Sequence, residues 1–155
     1  MRAVVQRTTR AAVRVGGASV GEIGVGLLVL LGVAPSDDEA TADHLAARVA
    51  TLRLFADAGG RMNLDIAQVG GGLLVVSQIT LHADSSRGHR PSLMRAAAPG
   101  QGARLYDRFV DATRARGLRV TTGRFGAHME VELVNDGPVT LVLTSGEDPW
   151  QADAG

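Results

Sequence analysis

Leu27-Leu28-Val29-Leu30-Leu31-Gly32-Val33 carries no polar side chain at any position. A strand wetted on one face alternates apolar and polar residues, so an unbroken apolar run of this length marks a strand covered on both faces. The segment predicts the centre of a sheet with layers above and below it. On its N-terminal side, residues 3–6, 11–15 and 19–23 read as shorter strands separated by polar or glycine punctuation.

On its C-terminal side, Pro35-Ser36-Asp37-Asp38-Glu39 reads as a helix start, with Ser36 and Glu39 at capping-box spacing and acids at the positive end of the helix dipole. Leu45, Val49, Leu52 and Phe55 then recur at helical spacing, which predicts an amphipathic helix ending near Phe55. Gly59-Gly60 and Gly70-Gly71-Gly72 bracket an irregular stretch, after which Leu73-Leu74-Val75-Val76 restarts a buried strand that delivers Ser77 to Leu81 at its end. A second helix is predicted over residues 103–116, with Gly117 as its left-handed terminator. Strands follow at residues 118–121, 129–134 and 139–143, the last two joined by an Asn135-Asp136-Gly137-Pro138 turn. The expected fold is mixed α/β, with β-sheet or barrel-like layers packed against two main helices, in a single domain over residues 1–146 followed by a frayed tail at 147–155.

Composition removes several classes of function. Sixteen acidic and sixteen basic residues give a formal net charge of zero, so no overall positive field gathers nucleic acid, DNA included, and any RNA contact has to be local. All the cations are Arg, a bias that base composition explains more simply than phosphate recognition. With no cysteine, thiolate catalysis and cysteine metal sites are excluded. His44, His82, His89 and His128 show no metal-ligand spacing, so neither metal nor cofactor is expected. The longest apolar run, residues 24–34, is too short to span a bilayer, which makes a cytoplasmic protein without membrane contact the expectation.

Two catalytic motifs lack their context. Gly17-Ala18-Ser19-Val20-Gly21 matches a nucleophile elbow, but strand follows it where a helix is required. Gly24-Val25-Gly26 begins like a dinucleotide loop, yet Val29 stands where the third glycine belongs.

Two segments distant in the chain remain: Ser77-Gln78-Ile79-Thr80-Leu81 and Asn135-Asp136-Gly137-Pro138-Val139-Thr140, each setting compact polar groups beside an apolar strand, as halves of one site. An ordinary Gly-Pro bond is trans; a cis bond would aim two successive carbonyl oxygens the same way, and composition does not choose between them. Arg87 and Arg90, in the Ser85-to-Pro91 loop, sit close enough in sequence to the first segment to contact phosphate.

These segments, with Met1-Arg2-Ala3-Val4-Val5-Gln6-Arg7, Gly21-Glu22-Ile23-Gly24, Leu28-Val29-Leu30-Leu31-Gly32-Val33 and Thr122-Gly123-Arg124-Phe125-Gly126-Ala127, resemble the D-aminoacyl-tRNA deacylases of the D-tyrosyl-tRNA type over nearly the whole chain. The resemblance implies a three-layer β/β/α fold, a homodimer with its active site at the subunit interface, and hydrolysis of the ester joining a D-amino acid to the tRNA 3′ end. It assigns Ser77, Gln78 and Thr80 to one wall of the pocket and Phe125 and Met129 to the surroundings of the terminal adenosine. Gly137 and Pro138 would form a Gly-cisPro motif that reaches into the partner's site and rejects L-amino acids, with Arg7 bracing it. Thr80 is a chemically attractive nucleophile, but neither motif holds a His or acid to activate it, and the family pattern favours help from the substrate's own 2′-hydroxyl. Ile79 and His82 depart from the Phe and Tyr common in the family. Glycyl-tRNA, having no side chain to exclude, is a further substrate to expect. A noncatalytic module that binds the tRNA 3′ end is the alternative reading.

Overall fold

β1 (Arg2–Val15) is the strand on which the other elements assemble. In the computed structural model, which describes residues 1–86 and 88–145, its first half pairs antiparallel with β3 (Gly26–Gly32) and its second half with β2 (Ala18–Ile23) along the same edge. Along its opposite edge runs β8 (Glu130–Thr144), antiparallel over the full length. β3 pairs in parallel with β6 (Gly72–Ser77), and β6 with β7 (Arg119–Thr122). β2 curls back toward β7, where a Cβ added to Gly21 would stand 2.7 Å from the Thr122 carbonyl oxygen. The sheet is thereby bent into a nearly closed, barrel-like layer.

β3 and β6 are buried on both faces, as the apolar run predicts. Leu27, Val29, Leu31, Leu73 and Val75 face a core shared with the helices, while Leu28, Leu74 and Val76 face a second core with Ala11 and Val13 of β1. Burying one leucine fully is worth roughly 1.5–3 kcal/mol, so two such layers outweigh the low aromatic content of the chain. α1 (Glu39–Thr51) and α2 (Pro99–Arg114) cover the first core through Leu45, Val49, Leu105 and Phe109. Arg108 clasps Asp43 between the helices at 2.7 and 2.6 Å, and its hydrogen bond holds the Asp43 carboxyl below the usual range. The pair is exposed and orients the helices more than it stabilises them.

Several expectations change at the level of elements. Asp38, not Ser36, caps α1, accepting from the Thr41 amide at 2.8 Å. The helix ends at Thr51, because extended backbone at Leu52 turns Leu54 and Phe55 into the core, with Phe55 in β4 (Phe55–Ala56) paired to β5 (Met62–Leu64). α2 starts at Pro99, where proline suits a first-turn position lacking a helical hydrogen bond. Gly117 follows it with φ +79°, as its role of terminator requires. Residues 3–6 and 11–15 belong to one strand. So do 129–134 and 139–143: the segment between them is not a turn joining two strands but a bulge within β8, since Gln6 pairs with Thr140 and Thr8 with Asn135. The expected tail at 147–155 lies outside the described residues. Among the described residues no helix is long and apolar enough to cross a membrane.

Candidate active site

β6 ends at Ser77, and the chain then tightens into a 3₁₀ turn over Ile79–His82. The Gln78 amide donates to the Leu31 carbonyl at 2.8 Å, and Arg2 Nη1 donates to the Leu81 carbonyl at 2.7 Å, so both ends of the turn are tied to the sheet. It packs so closely on β3 that a Cβ at Gly32 would stand 3.0 Å from the Gln78 carbonyl oxygen, Leu81 Cβ and His82 Cδ2 alike. On its outer side, Gln78 Nε2 donates to Thr80 Oγ1 at 2.5 Å, which fixes an exposed hydroxyl by a neutral amide.

Beside the turn lies a cleft of about 360 Å³, and Ser77, Gln78, Phe125 and Met129 all line it. Four of the residues expected at the site are thus brought together from the end of β6 and the loop before β8, whereas Thr80, next in the chain to Ile79, is not among the lining residues. Phe125 leans on α2: its ring centroid is 5.7 Å from that of Tyr106, and Gly102 leaves room for it, a Cβ there meeting Phe125 Cζ at 3.4 Å. The Tyr106 hydroxyl donates to the Val75 carbonyl at 2.8 Å, and burial pushes its pKa well above the ordinary phenol value. It remains a neutral donor. Sequence reasoning missed Gly102 and Tyr106 as supports of the cleft, although a glycine in the first turns of a helix is a signal of close approach.

The departures from the family pattern fall at the same turn. Ile79 lines the cleft half exposed, so it does not fill a buried aromatic space. His82 turns inward against Gly32, and its Nε2 has no hydrogen-bond partner among the described residues. Burial, reinforced by the positive charges of the N-terminus and Arg2, lowers its pKa.

The second motif stands elsewhere. Asp136, Gly137, Pro138 and Val139 bulge out of β8 opposite Arg7, and the Gly137–Pro138 peptide is cis. Asn135 closes the base of the bulge, its Oδ1 accepting from the Val139 amide at 2.9 Å and its Nδ2 donating to Thr140 Oγ1 at 2.9 Å. From below, Arg7 Nε donates to the Asp136 carbonyl at 3.1 Å and Nη1 to the Leu54 carbonyl. A Cβ at Gly137 would meet Val139 Cγ2 at 2.7 Å and Arg7 Nη2 at 3.1 Å, and φ is +133°, so only glycine fits.

The register separates this bulge from Ser77 in one chain. Arg7 pairs with Leu27 and Leu27 with Leu73, whereas Ser77 pairs with Leu31. Four residues along the strands and three strand spacings across them amount to roughly 20 Å measured along the sheet. The two motifs are not halves of one intrachain site.

Arg90 lies apart from the cleft lining, beside Asp84, Ser92 and Arg95, and Arg87 lies outside the described residues. A larger recess of about 440 Å³ at the far end of β1 is lined by Arg10, Arg14, Arg119, Glu22 and Glu132. Arg10 pairs there with Glu132 at 2.6 Å, and none of the predicted site residues lines it.

A β/β/α fold with an aromatic-walled cleft at a strand end, a row of neutral polar groups beside it and a rigid backbone bulge on an edge strand defines a class: the D-aminoacyl-tRNA deacylase fold. The comparisons place the chain within it. Residues 4–144 match the family model described as D-Tyr-tRNA(Tyr) deacylase. The D-aminoacyl-tRNA deacylase of Symbiobacterium thermophilum is 59% identical over 94% of this chain and 96% of its own, and that of Deinococcus radiodurans 60% identical over 92% and 99%. Among solved structures, the c-Myc DNA unwinding element binding protein superposes with a TM-score of 0.89 at 36% identity, covering 95% of this chain and 100% of that one. A probable eukaryotic D-amino acid tRNA deacylase shares the fold, with a TM-score of 0.79 at 19% identity over 92% and 97%. The chain belongs to the D-Tyr-tRNA(Tyr) deacylase family of hydrolases.

Proposed function

We propose that this protein hydrolyses the ester of D-aminoacyl-tRNA, releasing the free D-amino acid and tRNA, in a site that two copies of the chain complete together. The observation that carries the reading is the separation just described: the cleft and the Gly137–Pro138 bulge are each built to high definition, yet about 20 Å apart in one chain by strand geometry. A second protomer that offers its bulge to the first one's cleft unites them in a homodimer. The adenosine of the tRNA end enters beside Phe125 and Met129, which sets the ester next to Ser77, Gln78 and Thr80. The partner's glycine and proline carbonyls receive the α-ammonium group and leave space for hydrogen, but not for a side chain, on the L face.

Chemistry follows from what the cleft lacks. None of its lining residues is His, Asp or Glu, and Tyr106 is held neutral with its proton committed to Val75. Among the described residues only the Gln78 amide bonds the Thr80 hydroxyl, so it is a positioning and polarising group and not an activated nucleophile. Water attacks the carbonyl carbon with help from the substrate's 2′-hydroxyl, the developing oxyanion is met by backbone N–H groups near Thr80, and the ribose oxygen departs with a proton.

Rates on D-aminoacyl-, L-aminoacyl- and glycyl-tRNA, the last charged on tRNA(Ala), test the proposal. Turnover of the D and glycyl esters with the L ester spared supports it, and equal turnover of mirror-image esters overturns the steric account. Binding without turnover would assign the chain instead to a noncatalytic tRNA 3′-end module. The DNA-binding name of one structural relative is not carried over here, because a formal net charge of zero gives no overall positive field to gather nucleic acid.

A further inference from the structure

The turn that carries Phe125 into the cleft also carries a cation that the cleft itself does not use. Gly123 donates its amide to the Val75 carbonyl at 3.0 Å, the acceptor shared with Tyr106, and Ala127 donates to the Arg124 carbonyl at 3.1 Å, closing a tight turn over residues 124–127. Gly123 is held against Met129, whose sulfur would lie 2.6 Å from an added Cβ, and Gly126 takes φ +75°. Arg124 therefore has a fixed backbone. Its side chain is exposed, and among the described residues no carboxylate pairs with it, in contrast to Arg7, Arg10, Arg95, Arg104, Arg108 and Arg114. The next three residues, Phe125, Gly126 and Ala127, all line the cleft.

A stationary aromatic wall beside an unpaired guanidinium on one rigid turn is the arrangement that binds the end of a single nucleic-acid strand, the ring taking a base face and the cation the backbone. We propose that Arg124 is a substrate-binding residue that holds the phosphodiester on the 5′ side of the terminal nucleoside, so that this turn grips base and backbone of the 3′ end together. The inference rests on the reading of the cleft as the terminal-adenosine site. It supplies a local cation of the kind that an RNA substrate needs from a chain of zero net charge.

Two substrates separate this role from a structural one: D-aminoacyl-tRNA, which has the phosphodiester, and the D-aminoacyl ester of adenosine, which has none. Arg124→Ala is expected to lower kcat/KM on the tRNA ester about tenfold through KM, and to make the dependence of log KM on log salt shallower by about 0.7, one phosphate contact to a single strand. Arg124→Lys recovers most of the loss. Loss confined to the tRNA ester supports the proposal; equal loss on both esters, or none on either, overturns it. Phe125→Ala is measured alongside. If it weakens hydrolysis of the adenosine ester while Arg124→Ala changes nothing, the phosphate contact alone is wrong; if it leaves that ester unaffected, the adenosine reading of the cleft is wrong, whatever Arg124 does.

Discussion

Arg7 and Asp136 meet across the long β1–β8 pairing, with Arg7 Nε 3.1 Å from the Asp136 carbonyl oxygen and 3.2 Å from its carboxylate. Through the same guanidinium, β8 is tied to the Leu54 carbonyl beyond α1. A half-buried planar fork thus spans the helix exit and the base of the bulge. Lysine has one point of charge and cannot serve both.

Arg7→Ala is accordingly expected to cost about 1.5–3 kcal/mol, the range for hydrogen bonds to charged groups. Arg7→Lys should recover part of that stability but little of the activity. Urea unfolding and deacylation rates on the same samples check the split. Equal recovery of both would deny Arg7 its part in placing the bulge.

Gly137→Ala puts a methyl 2.7 Å from Val139 Cγ2 at a φ of +133°. The bulge has to shift, and displacement of a positioning group by about 1 Å costs on the order of 10²-fold in rate. The measurement is kcat/KM on D-aminoacyl-tRNA, with the melting temperature as control.

Thr80→Ala removes a hydroxyl bonded to Gln78 without emptying any buried space. A supporting contact of this kind is worth about 1 kcal/mol, so single-turnover deacylation should slow by roughly tenfold or less. Complete inactivity in a folded protein would restore Thr80 as a covalent nucleophile.

Gly102 separates size from polarity. Alanine there meets Phe125 at an ordinary 3.4 Å, and in a helix it should be neutral or stabilising by up to about 1 kcal/mol. Gly102→Leu drives the ring into the cleft. The expected signature is a raised KM for D-aminoacyl-tRNA in the leucine variant only.

His82 gives a pH signature. Its native pKa is lowered from 6.5 by burial, so the unfolded chain takes up the proton first as pH falls. The stability tied to the neutral ring is complete above pH 6.5 and is lost as pH drops through 6.5 toward the lowered native value. Urea midpoints between about pH 7.5 and 5.5 should fall more for the natural protein than for His82→Phe. Identical slopes would show that the ring protonates freely in the fold.

What the sequence reveals about the core is direct, because strand burial imprints a period on neighbouring residues. The apolar run at 27–33 announces a doubly covered strand, and Leu27 and Leu28 indeed face different cores. Caps and ends are less legible: Ser36 and Asp38 are both competent to cap, and only backbone geometry selects Asp38. The helical spacing of Phe55 is real, yet packing turns it into a strand.

By itself the sequence determined the layers, the family, and the residue types in each of the two motifs, since these follow from local periodicity and from motifs contiguous in the chain. Only the tertiary structure decided that the Asn135–Thr140 segment is a bulge within one strand, that Gly102 and Tyr106 shoulder the wall of the cleft, and that the two motifs stand apart in a single chain. Those facts depend on register, on which residues lie opposite one another across hydrogen-bonded strands. Register is set by pairings between residues more than a hundred positions apart, such as Gln6 with Thr140, and no local pattern records them.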